Sequence, residues 1–163
     1  MAARDVMFIA VIVFSLGIAF LIAHLFLSSV VTQITLIPTV NESSASLGAF
    51  QSMVTLSNRF DYIIFGVFIG CVLGMIISAW FVGGHPIFMF AYFCVAAITV
   101  VISTILANTW ETVSTSSAFG TTVSHFPLTN HLLNYLPIYA GVIGFIGLVV
   151  MFGKPLLQGA QNG

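Results

Sequence analysis

The three basic and four acidic residues of this 163-residue chain stand at Arg4, Asp5, Glu42, Arg59, Asp61, Glu111 and Lys154. Between them run long stretches with almost no charge. A membrane-spanning helix needs about 20 predominantly apolar residues, and four runs meet that need: 6–31, 61–82, 86–108 and 130–153. In lipid a backbone must satisfy its own hydrogen bonds, so such runs fold as helices. Soluble domains are about 25% charged. This chain is 4% charged and 60% hydrophobic, with a mean hydropathy of +1.17. The expected fold is therefore an all-α membrane protein with four transmembrane helices in one polytopic domain, residues 1–163. The net charge of −1 leaves no polybasic stripe, which argues against nucleic acid as a partner.

Small residues recur inside these runs. In the second, Gly66, Gly70, Gly74 and Ser78 occupy every fourth position among bulky neighbours such as Phe65, Phe68, Leu73 and Ile77. Successive members lie about 40° apart on a helix, so they stack along one side. Such a row lets another backbone approach closely in lipid, and it reads as a glycine-zipper packing seam. Ser15, Ala19 and Ala23 form a similar row in the first run, a natural candidate to lie against the second within one chain; equally, the second row can stay free for another copy or a partner. Gly141, Gly144 and Gly147 make a third face at spacing three. In the third run Thr99, Ser103 and Ala107 continue the theme and offer interhelical hydrogen bonds of about 0.6–2 kcal/mol each.

The connections carry the remaining signals. Arg4 followed by an apolar run suggests a signal peptide, but 6–31 exceeds the roughly 7–15 apolar residues of one, which favours a retained helix. Residues 32–60 form an outer loop in which Pro38 turns the chain and Ser43 or Ser44 caps a new helix. That helix is an amphipathic extension of the second span, with Leu47, Phe50, Met53 and Val54 at helical spacing. Asn41-Glu42-Ser43 matches the N-glycosylation pattern. Arg59 and Asp61 flank Phe60 and are expected at the headgroup level. Gly83-Gly84 ends the second span and Pro86 opens the third, predicting a tight hairpin with helices two and three as antiparallel neighbours. Trp110 and Glu111 mark the far interface. A second outer loop, 109–129, lies on the membrane surface. Thr129 or Asn130 then caps a final helix that enters lipid near Pro137 and ends at Lys154. Both termini share one side, and positive-inside counting favours the cytoplasm for it.

Site chemistry is sparse. His24, His125 and His131 are the histidines able to converge, His85 being in the tight turn, and none forms an i, i+4 pair or a cysteine-containing cluster. Cys71 and Cys94 read as small packing residues. No catalytic, metal-binding or cofactor-binding set is expected, and the chain reads as not an enzyme. Three roles remain: a structural or assembly component packing in homo- or hetero-oligomers through its small-residue seams, a holin-like pore-forming oligomer, and a histidine-ligated redox subunit. The polar residues available to line a pore are Thr99, Ser103 and Asn108.

Two stretches carry a resemblance. Ile77 to Glu111 runs from a helix end through His85-Pro86 into an apolar span closed by Asn108-Thr109-Trp110-Glu111. Phe126 to Lys154 reads Phe-Pro-Leu-Thr, then Asn134-Tyr135-Leu136-Pro137, a Gly-rich span and Gly153-Lys154. Together, in under half the chain, they resemble small integral membrane proteins of tailless, membrane-containing icosahedral phages and viruses. The resemblance implies a virion component in the internal membrane, with loops that contact capsid proteins.

Overall fold

A computed structural model describes residues 2–41, 43–81 and 86–161. It is all α-helical among these residues: α1 (Ala2–Thr35), α2 (Pro38–Asn41), α3 (Ser44–Ser57), α4 (Phe60–Phe81), α5 (Pro86–Ser114), α6 (Gly120–Val123), α7 (Pro127–Asn134) and α8 (Leu136–Gln161). Four segments are long and apolar enough to cross a membrane: Arg4–Thr35, Ser44–Phe81, Phe90–Ser114 and Leu136–Gly153. The molecule is a four-span, multi-pass membrane protein.

At 1.5 Å per residue, the 34 residues of α1 extend about 51 Å, well beyond a hydrocarbon core of about 30 Å. In its last turns Ser28, Thr32 and Thr35 satisfy their hydroxyls by donating back to carbonyls three or four residues earlier. The chain reverses through α2, and α3 packs back along α1. The Ser43 hydroxyl caps α3 by accepting from the Ser46 N–H at 3.4 Å. The inward stripe of α3 includes Leu47, Phe50 and Val54, whereas Met53 is exposed. Between α3 and α4 the Arg59 N–H bonds to the Leu56 carbonyl at 3.0 Å. This i→i−3 tightening ends one helix and lets the next start at Phe60.

The four long helices form a bundle in which α1 and α8 each pack on both α4 and α5 and also touch each other. Val6, Ile9, Ala10, Val13 and Leu21 from α1 meet Ile64, Phe68 and Met75 from α4, Trp110 from α5, and Leu136, Ala140 and Ile143 from α8. A smaller cluster of Ala79, Tyr92 and Met151 closes the opposite end. The expected adjacency of the second and third spans does not hold: among the described residues α4 and α5 occupy opposite corners, separated by α1 and α8. Gly83-Gly84 and His85 lie outside the described residues. The physical reason is reach. Five Cα steps from Phe81 to Pro86 extend up to about 17 Å, enough to cross the diagonal, about 14 Å, of a square bundle with 8–10 Å sides.

The stretch 109–129 is also more ordered than a surface loop. The helix α5 runs on to Ser114, and α6 and the start of α7 follow within it. The final helix begins at Pro127, ahead of Thr129 and Asn130, and breaks at Tyr135 before α8.

Candidate functional site at the polar end of the bundle

One end of the bundle gathers the C-terminal half of α1, the α3–α4 junction, the end of α5, and α6–α7. Its centre is Asp61, 2% exposed. The helix α7 has no capping side chain of its own: Phe126 is its N-cap residue and Pro127 its first residue. The orphan N–H groups of the next two positions need acceptors, and Asp61 supplies them across 67 residues of chain. Its Oδ2 accepts from the Leu128 N–H at 2.9 Å. Its Oδ1 accepts from the Thr129 N–H and from the Thr129 hydroxyl, both at 2.7 Å. A carboxylate at a helix N-terminus also meets the positive end of the helix dipole.

Two further contacts tie the same end together. The Trp110 indole N–H donates to Asn130 Oδ1 at 2.9 Å, and Asn134 Nδ2 donates to the same oxygen at 3.1 Å. His24, 3% exposed, meets Ser57 through Nδ1 at 2.8 Å. The Ser57 proton is aimed at the Val54 carbonyl, 2.7 Å away, which leaves His24 Nδ1 as the donor. The His24 ring also lies 5.0 Å from the His125 ring and edge-on to Phe126 at 5.4 Å.

Asp61 and Trp110 were expected at the interfaces. Asp61 is a tether buried among the helices at this end, and Trp110 is fully buried. The physical reason is the same for both: each carries polar atoms that the start of α7 can satisfy. Arg59 and Glu111 are exposed; the Lys154 side chain lies outside the described residues. Of the histidines expected to converge, His24 and His125 come together, while His131 packs against Tyr135 and Tyr139. Among the described residues no three His, Cys, Asp or Glu side chains group as metal ligands. The arrangement holds helices in place: the Asp61 carboxylate, the Trp110 indole N–H and His24 Nδ1 each have a partner within the chain.

The small-residue rows divide. Gly144 lies against α5, where an added Cβ would sit 3.6 Å from Ala96 Cβ. At Gly147 it would collide with the Tyr92 hydroxyl and come within 3.3 Å of Met75 Cε. Tyr92 exploits that space to donate to the Gly144 carbonyl at 2.9 Å. Gly141 is looser, 3.9 Å from Val100 Cγ2. In contrast, a Cβ at Gly66, Gly70 or Gly74 would meet nothing within 4 Å among the described residues, and all three are exposed; Ser78 is half-buried. Ser15, Ala19 and Ala23 are exposed as well. Of the two arrangements the sequence leaves open, the first and second rows therefore do not pair within one chain, and the second row stays free among the described residues. The helix α1 buries the opposite stripe, Val6, Ala10, Val13, Gly17, Leu21 and His24, whose larger side chains fill a four-helix interior. Gly17, absent from any row, receives Leu133 and Thr129 from α7.

The tether was missed because Asp61 has no partner nearby in sequence. Its signals were a carboxylate one residue inside an apolar helix and a Phe-Pro helix start without a capping side chain. No protein-family model, no curated protein and no solved structure matches the chain.

Proposed function

We propose that this chain is a non-enzymatic structural component of a membrane that assembles into oligomers through its outward small-residue faces. The observation that carries this reading is the open Gly66–Gly70–Gly74 row, exposed and with no neighbour for an added Cβ. Tyr62, Ile69, Leu73 and Ile77 stand exposed along one side of it and leave a shallow channel that another helix backbone can enter. The row of Ser15, Ala19 and Ala23 on a second copy offers a matching face, which makes the contact heterologous and able to propagate.

A structural role is favoured over a pore by where the polar residues stand. Of the three residues available to line one, Thr99 and Ser103 are buried inside the bundle, at 1% and 0% exposure, and Asn108 alone is exposed. Core side chains such as Val13, Leu21 and Ile64 leave no exposed surface within it. A histidine-ligated redox group finds little support in a His24 already bonded to Ser57. The resemblance of 77–111 and 126–154 to membrane proteins of membrane-containing icosahedral viruses supports a virion internal membrane as the setting. Capsid proteins would then be partners of the polar end.

Oligomer size in mild detergent tests the proposal. Gly70→Leu fills the open row and is expected to reduce the assembly to monomers. An unchanged oligomer with that variant would sink the seam.

A further inference from the structure

Two helix faces on opposite corners of the bundle match each other in height, size and charge. The outward face of α5 presents Ala97, Val101, Thr104, Asn108 and Glu111 at spacings of four and three, all of them exposed. That spacing keeps them on one stripe. The outward face of α4 presents Ile63, Gly66, Gly70 and Gly74 at the same spacings, with Arg59 at its head, and these are exposed too. Since α1 and α8 stand between α4 and α5, the two stripes can meet only between copies.

Contacts inside one chain set the heights. At the polar end Asp61 and Trp110 both bond the start of α7, at Leu128, Thr129 and Asn130. At the other end Ala79 and Tyr92 share one cluster. The helices run antiparallel between these anchors and advance equally, from Asp61 to Ala79 and from Tyr92 to Trp110. To within about one residue, a rise of about 1.5 Å, Gly74 therefore stands level with Ala97, Gly70 with Val101, Gly66 with Thr104, and Arg59 with Glu111. Neighbouring copies in one bilayer stand at the same height, so these residues come face to face.

The levels are complementary. Val101 is 62% exposed, and an added Cβ at Gly70 would meet nothing within 4 Å among the described residues. The valine can enter that space and let the two backbones close. Thr104 Oγ1 already donates to the Val100 carbonyl at 3.0 Å, so it asks nothing polar of Gly66. Arg59 and Glu111 carry opposite charges, and neither side chain is paired among the described residues. The row of Ser15, Ala19 and Ala23 permits a close approach but offers Arg59 no charge.

We propose that copies of this chain join in a row, the α5 stripe of one seated on the glycine row of the next, with Glu111 paired across the contact with Arg59. This arrangement rests on the open row being an assembly face, and it names what fills that face. Each copy carries one stripe of each kind, so the contact is head-to-tail and propagates.

The test is disulfide cross-linking in membranes, oxidised with copper phenanthroline, in a chain carrying Cys71→Ala and Cys94→Ala. A disulfide needs Cα atoms within about 7 Å. Gly70→Cys together with Val101→Cys is expected to give a ladder of covalent dimers, trimers and longer species, and neither substitution alone any. Dimers from either one alone would mean that a face packs on itself, and a ladder from Gly66→Cys with Ser15→Cys in their place would make α1 the partner. Either result overturns the α5 contact. Arg59→Glu and Glu111→Arg are each expected to weaken association in mild detergent about fivefold, and the two together to restore it. A double variant no better than the singles overturns the charge pair. Circular dichroism checks that the variants keep their helicity. A parent chain that stays monomeric in detergent and in membranes overturns the assembly role itself, whereas an oligomeric parent without the Gly70→Cys to Val101→Cys ladder overturns only this face.

Discussion

The glycines of α8 and the glycines of α4 share a sequence signature and differ in what surrounds them. Gly144 and Gly147 lie against α5, and Tyr92 takes the space that Gly147 leaves to reach the Gly144 carbonyl. Gly66, Gly70 and Gly74 face outward with open space above each. Small residues in lipid permit a close approach, but they do not choose the partner. Here the choice is made by the other side of each helix. The bulky stripe of α4, with Ile64, Phe68 and Met75, belongs to the core and turns the glycines away. The helix α8 places its glycines on the same flank as Ala140 and Ile143, which are buried too.

The sharpest break of this comparison is Gly147→Leu. The added side chain has to displace Tyr92 and Met75 from a packed interface. Overpacking of this kind costs about 1–3 kcal/mol and sometimes more, and loss of the Tyr92 bond adds to it. We expect destabilisation of about 3 kcal/mol or more, measured by reversible unfolding in mixed micelles. A variant as stable as the parent would show that the α5–α8 seam is loose.

If position in the bundle outweighs small-residue spacing, then Asp61→Ala must be costly although Asp61 belongs to no row. It would strand the N–H groups of Leu128 and Thr129 and the Thr129 hydroxyl. Bonds to a charged acceptor are worth about 1.5–3 kcal/mol each, and local water entry returns part of that. The expected loss is about 2–3 kcal/mol, with hydrogen exchange rising first in α7. Uniform exchange across the bundle, with α7 no faster than α8, would contradict the tether.

Gly70→Leu is the counterpart on the open face. Its side chain would project where nothing stands within 4 Å. The fold of a single chain should therefore change by no more than about 0.5 kcal/mol, the range of ordinary surface substitutions. A loss as large as that of Gly147→Leu would erase the distinction between the two faces.

These contrasts show what the sequence made legible. Stretches without charge marked the four spans, because lipid leaves a helix almost no alternative. Row membership was equally plain, since spacing on a helix is arithmetic. Facing was not legible: whether Ser15 or Val13 looks inward depends on which stripe of α1 fills the volume left by three other helices. Corner assignment failed for a related reason. The residues between Phe81 and Pro86 limit how far α5 can go but do not say which helices come between. The Asp61 tether was hidden by distance, although the uncapped Phe126-Pro127 start announced that some acceptor had to arrive from elsewhere.

A last contrast, one of sign, separates two hydroxyls on the inward face of α5. Thr99 donates to the Val95 carbonyl at 2.8 Å and is satisfied within its own helix. Ser103, one turn on and fully buried, has no hydrogen-bond partner for its Oγ among the described residues. Replacing an unpaired buried hydroxyl removes a desolvation penalty as well as a little packing, so Ser103→Ala should leave stability unchanged or raise it by up to about 1 kcal/mol. Thr99→Ala, by comparison, should lose about 1 kcal/mol through its bond and its methyl. The same unfolding measurement reads both, and the sign at Ser103 decides. A loss there comparable to that of Thr99→Ala would mean that Ser103 has a partner after all. The interior seam would then be held by polar contact as well as by the glycine fit.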